Sequence, residues 1–179
     1  HLFKLMREGP DDDLKLTENA QPAIMAHAVA VFRTWGVKVE DAAQFIAGHS
    51  LGEYSALCAA GTLALPNTAK LLKIRGKAMQ AAVPVGVGAM AALLGADLEL
   101  AKKIAEAAAQ GDVCEVANDN DPSQVVLSGH AAAIERAIGL AKDMGAKRAL
   151  LLPVSAPFHS SLMQPAADAM ADALSYEVL

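Results

Sequence analysis

The chain has 179 residues, enough for one sizeable core or for one core with a smaller insertion. Hydrophobic residues make up 54% of it and aromatic ones only 4%, so that core is expected to be built from Ala, Leu, Val, Ile and Met. A net charge of -5 without any Lys/Arg run argues against nucleic acid as a partner, and the apolar stretch 81–96, broken by Pro84, Gly86, Gly88 and Gly95, is too short to span a membrane.

Residues 1–16 read as a short amphipathic helix followed by Asp11-Asp12-Asp13, expected as a solvated loop. Pro22 suits the first position of a helix that runs to Trp35 and stops at Gly36. Ile24, Ala28, Val31 and Phe32 are expected to form its apolar face, with His27 on or beside it. Phe45-Ile46-Ala47 reads as a short buried strand, 53–60 as a helix closed by Gly61, and Pro66 as the start of a helix reaching about Ala82.

Past 83–86 the pattern changes. Strands are expected at 89–94, 113–117, 124–127 and 149–154, with helices at 98–109 and at 131–144, the latter ended by Gly145. Asn118-Asp119-Asn120-Asp121-Pro122 reads as the turn between the second and third strands. This β-α-β-β-α-β order is the ferredoxin-like arrangement. It suggests a small sandwich at 84–155 inserted into an α/β body formed by 1–83 and 156–179, where a helix resumes at 160–174. The chain opens on His1 inside an amphipathic segment and stops at Leu179 just after a helical pattern, so it is expected to be a piece of a longer protein.

Gly48-His49-Ser50-Leu51-Gly52 is a G-x-S-x-G sequence between an apolar run and a helix. That pattern makes a sharp elbow which lifts a serine hydroxyl out of the backbone as a nucleophile, with free amides at the helix start to receive an oxyanion. A Gly-Ser turn of no chemical consequence is the alternative, and the flanking elements favour the nucleophile. Arg75 is a charge in an apolar place, since Leu71, Leu72, Ala78 and Met79 share its helix face and no acidic residue lies within a turn. Its stem can snorkel to the surface, it can meet a carboxylate from elsewhere in the fold, or it can grip a substrate carboxylate through its two-pronged fork.

A serine nucleophile needs a base. His1, His27, His49, His130 and His159 are available; His49 adjoins the serine and is read as structural or as lining the pocket. His159 follows a strand in a loop stiffened by Pro153 and Pro157, a setting in which catalytic side chains are held. Cys58 and Cys114 have no ligand spacing and read as free thiols of a reducing cytosol, with no metal site and no cofactor expected.

The elbow 48–54, Arg75 and the segment Pro157-Phe158-His159-Ser160 together resemble the malonyl-CoA:acyl-carrier-protein transacylase family, which includes the acyltransferase domains of fatty acid and polyketide synthases. The likeness runs over essentially the whole chain, including Gln21-Pro22-Ala23 and 118–129. It implies a hydrolase-like α/β body with a ferredoxin-like insert. It implies Ser50 as the residue that takes malonyl from malonyl-CoA, His159 as its base and then as acid for the departing thiol, and Arg75 as the grip on the malonyl carboxylate. It further implies the Leu51 amide as an oxyanion donor, and a malonyl preference accompanied by Leu51 and Phe158. Gln21 and Asn120 are placed in the pocket, and acyl carrier protein is the partner of a monomeric, cytoplasmic enzyme. The second oxyanion amide and the residue orienting the histidine belong to segments outside these 179 residues.

Two other readings remain at this level. A serine esterase or thioesterase would need a carboxylate between serine and histidine, and Asp97, Asp119, Asp121 and Asp143 each fall at a predicted cap, turn or helix. A catalytically silent acyl-binding fragment would bind without forming an acyl-serine.

Overall fold

The computed structural model describes residues 1–154 and 156–176. Ser155, the last residue of the insert as read above, and 177–179 lie outside them. The chain forms two units, His1–Ala78 together with the chain from Asp168 onward, and Met79–Ala167.

The first unit is helical. It holds α1 (Leu2–Glu8), α2 (Asp11–Lys15), α3 (Thr17–Trp35), α4 (Val39–Ala42), α5 (Gly52–Ala59) and most of α6 (Leu65–Ala82). The three aspartates expected in a loop are the first turn of α2, where the unpaired amides and the positive end of the helix favour carboxylates. α3 begins five residues before the expected Pro22, which lies in its second turn and is buried with Thr17, Gln21, Ala23, Met25 and Val29. Burying that face outweighs the one backbone bond that proline forgoes. Gly36, at φ 75°, ends the helix in the left-handed region as expected.

The expected apolar face of α3 is not the buried one. Ile24 and Val31 are more than half exposed, and His27 and Ala28 are exposed as well. The helix is apolar nearly all round, so its residue pattern carries little contrast between faces. Ala28 and Phe32 instead line an open groove of about 330 Å³ with Ile46, Gly48 and Ala56, while Ile24 and His27 line another with Met6 and Leu14.

The expected strand at Phe45 is also absent, and Phe45 is 90% exposed. A strand needs a neighbour for its N–H and C=O groups, and the first unit has no strand among the described residues. Among the described residues, two apolar clusters pack within this unit. Met25, Val29 and Leu72 pack with Leu51, Tyr54 and Cys58; Leu63, Leu71 and Met170 pack with Leu57, Ile74 and Ala173, the last from α9 (Gln164–Ser175).

The second unit follows the expected order: β1 (Gly88–Leu94), α7 (Leu98–Ala109), β2 (Cys114–Asp121), β3 (Gln124–His130), α8 (Ala131–Ala141) and β4 (Arg148–Leu151). The strands form one antiparallel sheet in the order β2-β3-β1-β4, which is the ferredoxin-like topology. Alternation along the strands sorts two faces. Ala91, Leu93, Val125 and Leu127 meet alanines and isoleucines of α7 and α8, among them Ala101, Ile104, Ala133 and Ile134. Met90, Ala92 and Val126 face the other way, with Ala117, Leu152 and Phe158.

Several boundaries differ from expectation, β3 among them, which runs on to His130. Residues 118–121, read as a turn, are the end of β2, and the reversal falls on Pro122 and Ser123. Register shifts at Val116/Asn118 and Asp119/Asp121 let the strand absorb these polar residues. α8 stops at Ala141, so Asp143 lies in a turn, and β4 ends at Leu151.

Candidate active site

The elbow is built by one steric and one conformational demand. A Cβ at Gly48 would lie 2.0 Å from the Gly52 carbonyl group, so only glycine fits there, whereas a Cβ at Gly52 meets nothing within 4 Å. The steric demand of the turn therefore falls on the first glycine alone. Ser50 itself takes φ 54°, a left-handed conformation that costs a non-glycine residue energy and that recurs at functional sites. The turn commits the amides of Gly52, Glu53 and Tyr54 to the carbonyls of His49, Ser50 and Leu51. Among the described residues no backbone acceptor takes the Leu51 N–H, which stands at the N-terminal end of α5 as an available donor. The Leu51 side chain packs on the Met25, Val29 and Leu72 cluster, while His49 is exposed.

Arg75 comes to this serine from α6. Leu71, Leu72 and Met79, which share its face, are buried. α6 passes the start of α3 in backbone contact, because a Cβ at Gly76 would fall 2.4 Å from the Glu18 Cα. Lys73 reinforces the crossing through Asn19 Oδ1 at 2.9 Å and Glu18 at 3.3 Å. The guanidinium thereby reaches two acceptors: Nη1 donates to Gln21 Oε1 at 2.6 Å and Nη2 to Ser50 Oγ at 3.1 Å. Gln21 is buried and its amide donates to Thr17 Oγ1 at 2.8 Å, one helical turn back. The Tyr54 ring lies 5.8 Å from the guanidinium carbon, within cation–π range.

No carboxylate pairs with Arg75 among the described residues, so of the three readings of this charge the internal ion pair is removed. Burial pulls the Arg75 pKa down against the opposing influence of Tyr54 and Glu53, and burial raises the Tyr54 phenol against the pull of Arg75. A positive fork beside a serine hydroxyl is suited to an acyl group that ends in a carboxylate. Thr17 and Tyr54 received no role from the sequence. Thr17 stands four residues before Gln21 within α3, the helical spacing that puts both on one face, and Tyr54 lies in the first turn of α5, directly after the elbow.

The remaining predicted residues belong to the second unit. His159 is exposed and adopts φ 59°, so it too sits in a left-handed turn. Phe158 packs with Met90, Ala92 and Val126. Asn120 is exposed near the end of β2. The structure thus joins Ser50, Arg75 and Gln21 by direct bonds, with Leu51 adjoining, and holds His159 and Phe158 on one loop of the other unit. His130 serves the frame: its Nδ1 accepts from the Val113 N–H at 3.0 Å, beside the Asp112–Arg136 pair. Among the described residues no group of His, Cys, Asp and Glu could hold a metal ion, and no helix is long and apolar enough to cross a membrane.

The site is a serine on a left-handed elbow with a guanidinium on its hydroxyl, and the chain belongs to the acyl transferase domain family, whose pattern matches residues 1–178. It is 48% identical over 170 residues to the malonyl CoA-acyl carrier protein transacylase of Escherichia coli strain K12, covering 95% of this chain and 55% of that protein. The crystal structure of acyl-carrier-protein-S-malonyltransferase from Bartonella henselae is similar at 57% identity and TM-score 0.91, over 98% of this chain and 57% of that one. A structure of a type II PKS acyl-carrier protein in complex with its malonyl-transacylase is similar at 43% identity and TM-score 0.88, over 97% of this chain and 56% of that one. The chain spans about half the length of the curated relatives it matches.

Proposed function

We propose that the protein carrying this chain transfers malonyl from malonyl-CoA to the phosphopantetheine thiol of acyl carrier protein, in the cytoplasm, as a step of fatty acid biosynthesis. The observation that carries this reading is the Arg75 fork, bonded to Ser50 Oγ and Gln21 and free of any carboxylate among the described residues. The relatives named above act on malonyl groups and acyl carrier protein by their own descriptions, which supports the same substrates here.

In this reading Ser50 Oγ attacks the thioester carbonyl of malonyl-CoA while His159 takes its proton. The Oγ–C bond forms, the oxyanion rests on the Leu51 amide, and the C–S bond breaks as His159 returns the proton to the departing coenzyme A sulfur. The carrier thiol then attacks the malonyl-serine ester with the same proton traffic in reverse. Arg75 holds the malonyl carboxylate throughout, exchanging its Gln21 and Ser50 bonds for two to the substrate. One oxyanion donor of this kind contributes about 2.7–4 kcal/mol in a comparable site. Gln21, His49 and Asn120 are assigned to the pocket, Leu51 and Phe158 to the malonyl preference, and 84–155 to an insert within the 1–83 and 156–179 body.

Esterase chemistry of the hydrolase type is less well supported. Of the four candidate carboxylates, Asp97 caps α7 through the Leu100 amide and Asp121 holds Ser123, local structural duties within the βαββαβ unit. The deciding experiment mixes the full-length protein with malonyl-CoA and measures intact mass, then adds phosphopantetheinylated carrier protein. A malonyl adduct that is discharged onto the carrier, and is absent from Ser50→Ala, is the expected result. An adduct retained by Ser50→Ala would reject the nucleophile.

A further inference from the structure

The loop that carries His159 is fastened to the βαββαβ unit on both sides of the histidine. Before it, Pro157 is buried against Gly88, where a Cβ would stand 2.3 Å from the proline ring, and Phe158 packs on Met90, Ala92 and Val126. After it, Ser161 donates twice to Glu115, from its N–H at 2.7 Å and from its Oγ at 2.8 Å. Ser160 closes the turn by donating from Oγ to the Pro157 carbonyl at 2.8 Å. His159 is held between these ties at φ 59°, a conformation that persists only where its surroundings enforce it.

Glu115 owes its position to the pleat of β2. Its neighbour Cys114 is buried on the helix side of the sheet, so alternation turns Glu115 to the opposite face, in register with Ser128 of β3. That is the face on which Phe158 packs. The carboxylate supplies acceptors for both Ser161 donors, and charge-assisted bonds of this kind are the strong ones. The bond pair is exposed, so water competes for both partners and the pair adds little to the stability of the unit.

We infer that Glu115 is a positioning residue for His159, holding Ser161 and through it the left-handed turn that aims the imidazole. This rests on the reading of His159 as the base. A base must stay within hydrogen-bond reach of its proton, and a displacement of about 1 Å can cost about a hundredfold in rate.

The test uses full-length protein, rapid mixing with malonyl-CoA, and amide exchange at Ser161. Glu115→Ala is expected to slow acylation at saturating malonyl-CoA at least about tenfold. The half-saturating concentration and the melting temperature stay unchanged, and the Ser161 amide exchanges faster. Glu115→Gln, whose amide oxygen still accepts the Ser161 N–H, restores most of the rate and the protection. A wild-type acylation rate in Glu115→Ala, or a Glu115→Gln protein as slow as Glu115→Ala, overturns the inference. Wild-type protein that never labels Ser50 refutes the transferase reading instead. Ser161 exchange still tests the tether in that case: faster exchange in Glu115→Ala supports it, and unchanged exchange overturns it.

Discussion

Replacing Arg75 with alanine should change which acyl group the protein accepts more than how fast it reacts. The guanidinium now spends one donor on Gln21 at 2.6 Å and one on Ser50 at 3.1 Å. A malonyl carboxylate would receive both, but two bonds to neutral acceptors are given up in exchange, so the net gain resembles one charged hydrogen bond rather than two. Such a bond is worth about 1.5–3 kcal/mol, or about 10–150-fold in an equilibrium or rate ratio. Acetyl-CoA offers no carboxylate and loses none of this. In a competition between malonyl-CoA and acetyl-CoA for Ser50, followed by the mass of the adduct, the malonyl-to-acetyl ratio should fall by that factor in Arg75→Ala. Arg75→Lys keeps the charge without the fork and should fall between the two. A ratio unchanged in a folded Arg75→Ala protein would refute the assignment of the carboxylate to this residue.

Gly76→Ala places a methyl group 2.4 Å from the Glu18 Cα, and forcing the two helices apart should destabilise the first unit by about 1–3 kcal/mol, read by denaturant unfolding. The Asp112 carboxyl is held below its ordinary value of 3.8 chiefly by the Arg136 hydrogen bond. A depressed carboxylate stabilises the fold above its unfolded value and loses that contribution as the pH falls below 3.8 through the folded value, so Asp112→Asn should flatten the acid limb of a stability-against-pH curve. Burial pushes the Cys114 thiol up to about 11. Iodoacetamide at pH about 8 should therefore leave Cys114 unmodified in the native protein and label it only after unfolding, as peptide mass mapping would report.

The second unit was legible in the sequence almost element by element, because its strands and helices alternate cleanly and Gly, Pro and Asp mark their ends. Asp97 caps α7 where the pattern placed the helix start. The polar run 118–121 misled because bulged strand edges accept residues that otherwise signal a turn. The first unit was harder. In α3, alanines and branched residues surround the helix, and the choice of buried face was settled by partners distant in sequence, such as Leu72. Phe45-Ile46-Ala47 has the composition of a strand but no neighbouring strand among the described residues, a fact composition does not contain. Of the site, the elbow and the oddity of Arg75 were visible locally. The bonds from Arg75 to Gln21 and Ser50 were not, since they depend on two helices meeting at Gly76.

A single planar cation on α6 touches α3 through Gln21, α5 through Tyr54 and the elbow through Ser50. In the proposed reaction, selectivity and architecture share this one side chain. A descendant of this sequence that switched to uncharged acyl groups by discarding the cation would take from the buried Gln21 oxygen the charged donor that holds it now. Its compensating change should appear at position 21, as a smaller apolar residue, before any appears at the serine.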